Sequence, residues 1–133
     1  MANAGPGGLQ GRVLVVDDLD DAAASLGMLC ELHGAEVRVA LDGQEALRVC
    51  EAFRPDIVLM DITMPNMDGY EAARRIRAEE WGVAPLLIAL TGWGRDRDIE
   101  AARDAGFDGH LLKPVDPESL VQVITDLQAK RAK

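Results

Sequence analysis

Four short stretches of the chain are apolar at nearly every position: Val13-Leu14-Val15-Val16, Ile57-Val58-Leu59-Met60, Leu86-Leu87-Ile88-Ala89-Leu90 and His110-Leu111-Leu112. A strand with one wet face alternates apolar and polar residues. Continuous Val, Ile and Leu instead predict strands buried on both faces, as in a parallel sheet covered by helices. Val37 and Val39 add a shorter second strand. Between the strands the apolar spacing turns helical. Leu19 to His33 repeats Ala22, Leu26 and Leu29, and Gly34 follows as a terminator. Asp42 is placed to cap a helix whose inner face carries Ala46, Leu47, Cys50 and Phe53, closed by Pro55. Thr63 to Gly69 has turn composition, and Asp68 to Ala78 follows as a third helix. Pro85 opens the fourth strand. Asp96 to Ala105 reads as a polar fourth helix stopped by Gly106, with Phe107 tucked beneath it. Asp116 and Pro117 supply an N-cap and a first-turn proline for a last helix with the stripe Leu120, Val121, Ile124 and Leu127.

Five strands and five helices in strict alternation predict an α/β fold, a doubly wound parallel sheet with right-handed crossovers in the common five-stranded order 2-1-3-4-5. The first and third strands then meet at the topological switch point, where open α/β sheets bind ligands. A chain of 133 residues makes one ordinary domain and buries roughly two thirds of its unfolded surface, so no disulfide or structural metal is required. Residues 12–130 are the expected domain. The Gly-rich residues 1–11 read as a flexible tail or linker, and residues 131–133 as a short C-terminal tail.

Each apolar run ends on a residue suited to phosphate chemistry. The first leads into Asp17-Asp18, the third strand into Asp61, the fourth into Thr91 and the fifth into Lys113. A parallel sheet brings all these ends to one edge. Three carboxylates there repel one another, by about 4 kcal/mol per pair at 4 Å and an effective dielectric near 20. An oxygen-only donor set suits a hard divalent cation, and the expected cofactor is Mg²⁺ (or Mn²⁺), held by Asp17, Asp18 and Asp61. With Lys113 and Thr91 beside it, Asp61 is arranged to attack phosphorus in line and accept a phosphoryl group. An ionised carboxylate needs no base, so the absence of a nearby catalytic His or Cys is consistent.

Charge and composition narrow the function further. A net charge of −9 argues against direct binding to nucleic acid or to anionic membranes, and a second, DNA-binding domain is not expected. No run approaches a membrane span and no signal peptide is recognisable, so the cytoplasm is the expected compartment. Cys30 and Cys50 fall in no metal or CxxC spacing and read as buried, reduced core thiols. Asp20 and Asp21 read as first-turn charges of the first helix rather than metal ligands. His33 reads as a helix-end residue.

Four blocks now carry a resemblance: Val15-Val16-Asp17-Asp18, Asp61-Ile62-Thr63-Met64-Pro65-Asn66-Met67-Asp68-Gly69-Tyr70-Glu71, Ala89-Leu90-Thr91-Gly92 and Lys113-Pro114-Val115-Asp116. In this order, each at a strand end, they resemble the response-regulator receiver domains of two-component signalling, with the flavodoxin-like, CheY-like (βα)5 fold. The resemblance implies that Asp61 takes a phosphoryl group from a phosphohistidine of a histidine kinase or histidine phosphotransfer protein. It also implies that the backbone carbonyl of Thr63 completes the metal site, that Lys113-Pro114 is a cis peptide and that Mg²⁺-dependent hydrolysis resets the domain. Such a protein is a signalling switch rather than an enzyme, catalysing only its own phosphorylation and dephosphorylation, and a monomer or weak dimer is expected.

Phosphorylated Asp61 would draw Thr91 toward it, vacating space that a side chain of the fifth strand can enter. Receivers similar to this one often place Tyr or Phe three residues before the lysine; here His110 stands there. Two readings of His110 stay open, a switch residue biased by its charge state, since free imidazole titrates near pH 6.5, and an ordinary strand residue. Trp93, between two glycines, reads either as packing or as a partner contact or gate of the phosphorylation site. Ala23, Met28, Cys30 and Leu32 give the first helix extra apolar surface, either more widely buried or a dock for a phosphotransfer helix. The fourth helix is charged on most of its outer face, which disfavours an apolar dimer seam there. The blocks around Thr91 and Lys113 look more like receivers attached to hybrid sensor kinases than those fused to DNA-binding domains. Two other classes fit less well: haloacid-dehalogenase phosphohydrolases place their carboxylates as D-x-D, and flavin or nucleotide folds need a first turn free of acids.

Overall fold

The computed structural model describes residues 11–62, 69–92 and 96–131. Expectations on Thr63, Trp93 and the tail at residues 1–10 lie outside these residues. The elements are β1 (Arg12–Val16), α1 (Asp20–Leu32), β2 (Glu36–Ala40), α2 (Gly43–Phe53), β3 (Ile57–Asp61), α3 (Gly69–Ala78), β4 (Leu86–Thr91), α4 (Asp96–Ala105), β5 (Gly109–Leu112) and α5 (Pro117–Arg131). One element was not anticipated: a 3-10 turn over Glu80–Val83 joins α3 to β4.

All strand pairs are parallel, in the order β2-β1-β3-β4-β5, as the alternation predicts. Every residue of β3 and β4 is buried, which accounts for their unbroken apolar sequence. Alternate side chains feed two cores. Leu14, Val16, Val58, Met60, Leu87 and Ala89 pack under α2, α3 and α4. Val13, Val15, Ile57, Leu59, Ile88 and Leu90 pack with Cys30, Leu120 and Ile124 of α1 and α5.

Local chemistry ends the helices where expected. The Asp42 carboxylate accepts from the Glu45 N–H at 2.7 Å, and Asp116 accepts from the Ser119 N–H at 2.8 Å, satisfying first-turn donors that have no helical partner. Gly34 and Gly106 follow α1 and α4 with φ of +103° and +111°, a backbone region open to glycine and costly for other residues.

The face of α1 differs from the expected one. Ala23, Gly27 and Cys30 are its buried residues, whereas Ala22, Leu26 and Leu29 are only half-buried. The reason is steric. Gly27 lies over Val37 and Val39, where an added Cβ would stand 3.4 and 3.6 Å from their methyl groups. The line of closest approach between helix and sheet therefore takes the smallest side chains, and the leucines flank it. Of the four residues read as extra apolar surface, Ala23 and Cys30 are core, while Met28 and Leu32 are exposed.

Candidate functional site

The register aligns the strand ends. Val16 pairs with Met60, Asp61 with Leu90, and Thr91 with Leu112, so Asp17, Asp61, Thr91 and Lys113 all lie on the C-terminal edge of the sheet. Residues almost a hundred positions apart in sequence thereby become neighbours. The Lys113 ammonium bridges two carboxylates, 3.0 Å from Asp61 Oδ2 and 3.1 Å from Asp17 Oδ2. Asp18 joins them, with one carboxylate oxygen from each of the three aspartates within 4.8 Å of the others.

Asp17, Asp61 and Thr91 are the buried polar residues of the described chain, and Asp18 is exposed. Asp17 is held at both ends of its carboxylate. Its Oδ1 accepts from the Leu19 N–H at 3.0 Å while Oδ2 faces Lys113, and its own N–H donates to the Ala40 carbonyl. Burial alone would pull the Lys113 pKa down, but hydrogen bonds and charge from Asp61 and Asp17 outweigh it and hold the ammonium above the usual lysine value. Among the described residues, one ammonium faces three carboxylates.

Behind the site, Gly69 opens α3 against the chain that follows Asp61. A Cβ there would stand 2.5 Å from the Asp61 carbonyl and 2.6 Å from the Ile62 Cα, so only glycine lets the helix start this close. The sequence pattern marked Gly69 only as a turn residue. Lys113-Pro114 is cis, as the resemblance implies, and the Lys113 N–H donates to the Thr91 carbonyl at 2.8 Å. Asp20 and Asp21 are exposed in the first turn of α1 and lie outside the acid group. His110, opposite Ala89 in register, is half-buried and lines a cavity of about 110 Å³ with Ile99, Ala102 and Phe107. Cys30 and Cys50 are free and buried, and burial pushes both thiols up to about 12.

The donor set fits a hard divalent ion. Ligand oxygens about 2.1 Å from an octahedral Mg²⁺ lie roughly 3.0–4.2 Å from one another, and small rotamer changes bring a group spanning 4.8 Å into that range. All three donors are carboxylates, the ligand type such an ion prefers.

A doubly wound sheet with three acids and one ammonium at its switch point defines an α/β domain built to handle phosphoryl groups. Residues 13–125 match the response regulator receiver domain family, and the chain belongs to that family, the receiver domain of two-component response regulators. It is 32% identical over 118 residues to PilH of Pseudomonas aeruginosa, covering 89% of this chain and 98% of PilH. It is 39% identical over 120 residues to the transcriptional regulatory protein PrrA of Mycobacterium leprae, covering 90% of this chain but 51% of PrrA, about half its length. The chemotaxis protein CheY4 of Vibrio cholerae superposes with a TM-score of 0.84 at 28% identity, over 90% of this chain and 99% of that one. Among the described residues no helix is long and apolar enough to cross a membrane.

Proposed function

We propose that Asp61 is the phosphoacceptor and that Asp17, Asp18, Thr91 and Lys113 are its machinery. The observation that carries this reading is the Lys113 ammonium lying 3.0 and 3.1 Å from Asp61 and Asp17, inside a group of three acids. Asp61 attacks the phosphorus of a phosphohistidine in line, an O–P bond forms as the P–N bond breaks, and the imidazole departs with its electron pair. Lys113 follows one phosphoryl oxygen, and the Thr91 hydroxyl donates to another. Asp17 and Asp18 would hold Mg²⁺ or Mn²⁺ with Asp61 and the backbone carbonyl of Thr63, which lies outside the described residues. When bound, the ion supplies positive charge to the transferring oxygens. Hydrolysis of the acyl phosphate at the same site resets the switch.

His110 carries the signal outward. As Thr91 turns toward the phosphoryl group, the imidazole moves into the space beneath β4, on the side where it already borders a cavity with Ile99 and Ala102. This idea fails if His110→Phe and His110→Ala both leave phosphorylation-dependent partner binding unchanged. The phosphodonor, a histidine kinase or histidine phosphotransfer protein, docks beside the site on α1. There Leu19, Leu26, Leu29, Pro114 and Val115 line a cavity of about 480 Å³ that reaches Asp17 and Lys113. The working unit is residues 12–130 and its compartment is the cytoplasm.

Incubation with acetyl phosphate and Mg²⁺ tests the reading. One phosphoryl group per chain is expected by intact mass, absent with EDTA and absent in Asp61→Asn. Uptake that survives Asp61→Asn would place the acceptor elsewhere.

A further inference from the structure

A second charged cleft lies at the opposite end of the sheet, on its β2 edge. Leu14 and Val16 of β1 point under α2, so Arg12, two residues before Leu14, points to the same side. Register pairs Arg12 with Glu36 and Leu14 with Arg38, which brings Glu36 and Arg38 to that face as well. Phe53 closes the C-terminal end of α2 beneath them. The guanidinium carbons of Arg12 and Arg38 stand 5.7 and 5.2 Å from the centroid of its ring. Arg48, from the exposed side of α2, joins these residues around a cavity of about 550 Å³ floored by Val49, Ala52 and Phe53.

What marks the three cations of this cleft is that they gather around one ring without a partner for their charge among the described residues. Arg74 and Arg75 pair with Glu71, Arg77 pairs with Asp108, and Arg54 donates to the Glu51 carbonyl. Among the described residues, no carboxylate lies within ion-pair distance of the guanidinium of Arg12, Arg38 or Arg48, and none of the three guanidinium groups donates a hydrogen bond, although the Arg12 backbone N–H donates to Asp56 Oδ2 at 2.8 Å. This occurs on a chain of net charge −9, where carboxylates are plentiful. Stacking on Phe53 holds two of the forks in place, reducing the ordering cost of a ligand.

We propose that this cleft binds the diphosphate group of a small polyphosphate. Guanidinium forks match phosphoryl oxygens in geometry and charge, three of them balance the charge of one diphosphate, and the cavity has the volume of a small-molecule site. Glu36 excludes anionic oxygens from one end and offers an acceptor to a ligand hydroxyl. Inorganic pyrophosphate and a nucleoside diphosphate share the recognised chemistry, and only the second has hydroxyls for Glu36. The cleft is separate from the acid cluster and needs no divalent ion.

The test is titration of the ¹⁵N-labelled full chain with sodium pyrophosphate, in EDTA and at constant ionic strength, followed by NMR. Saturable shifts are expected at the amides of Arg38, Val39, Arg48 and Ala52 and at the arginine Nε groups. Asp61→Asn should bind equally well, Arg38→Gln with Arg48→Gln about tenfold or more weakly, and Arg38→Lys in between. ADP binding more tightly than pyrophosphate, with the gain lost in Glu36→Leu, assigns an organic ligand; equal binding assigns the inorganic one. The proposal is overturned by any of four results: no saturation at millimolar pyrophosphate, equal shifts with sulfate, shifts centred on Lys113, or a double variant that keeps its thermal midpoint and still binds fully. It is equally overturned if a hexaglutamate peptide saturates the cleft while pyrophosphate does not.

Discussion

Lys113 at the C-terminal edge of the sheet and Arg77 at the N-terminal edge both tie distant segments together through carboxylates, yet they are balanced differently. Arg77 donates to the carbonyls of Gly82, Pro85 and Gly106 and to Asp108 Oδ2, each at 2.8–2.9 Å, and the same Asp108 oxygen accepts from the Leu87 N–H. Donors and acceptors match, charge cancels, and one arrangement of α3, the 3-10 turn, β4 and the α4–β5 junction is selected. Among the described residues Lys113 faces two of three clustered acids, an excess of negative charge that another cation or a covalent change can relieve. A saturated network builds the scaffold. An undercompensated one can respond.

The sharpest way to break this contrast is to remove one carboxylate from the responsive end. Asp61→Asn should lose phosphoryl uptake altogether, read by mass after acetyl phosphate, while its far-UV circular dichroism stays that of the parent. At the scaffold end the effect should be energetic. Arg77→Met strips a charge-assisted bond from Asp108 and leaves three carbonyls to find water, so stability should fall by about 2–3 kcal/mol, a lowering of Tm by roughly 8–15 °C. Phosphorylation below that Tm should be intact. Equal stability in Arg77→Met would remove the scaffold half of the comparison.

A smaller effect is expected at Asp18. Its loss relieves repulsion within the acid group, so Asp18→Asn should raise Tm by a few degrees in EDTA. Millimolar Mg²⁺ should then raise the Tm of the parent more than that of the variant. A variant destabilised in EDTA would mean that the acids are already compensated.

The effects of pH are confined to the alkaline range. Lys113 is held above its ordinary value by Asp61 and Asp17, so the stability it contributes is fully present at neutral pH and is lost as pH rises through the alkaline range beyond 10.5. Buried Cys30 and Cys50 act in the same direction. Unfolded thiols ionise near 9 and the folded ones at about 12, so stability drains as pH climbs between those values. At pH 8 a colorimetric thiol reagent should find both cysteines only after denaturant is added.

Much of this architecture was legible in one dimension because its causes are local. Unbroken apolar runs marked β3 and β4, Asp42 and Asp116 marked helix starts, and Gly34 and Gly106 marked helix ends, since capping and positive φ depend on a few adjacent residues. The site was legible for a related reason. In a parallel sheet each strand delivers its last residue to a common edge, so Asp17, Asp18, Asp61, Thr91 and Lys113 could be grouped before any distance was known.

Rotation about a helix axis and contacts between remote polar groups are different in kind. The face of α1 was displaced by about one residue because the sheet beneath it accepts Gly27 and not Leu26 at closest approach, which depends on the shape of β2. Arg77 and Asp108 are 31 positions apart, and the unpaired arginines around Phe53 come from β1, β2 and α2. Sequence by itself determined the elements, their order and the residues at the strand ends, because those follow from periodicity and connection rules. Only the tertiary structure decided which charges meet and which stay unmatched, because that depends on packing volumes and register summed over the whole molecule.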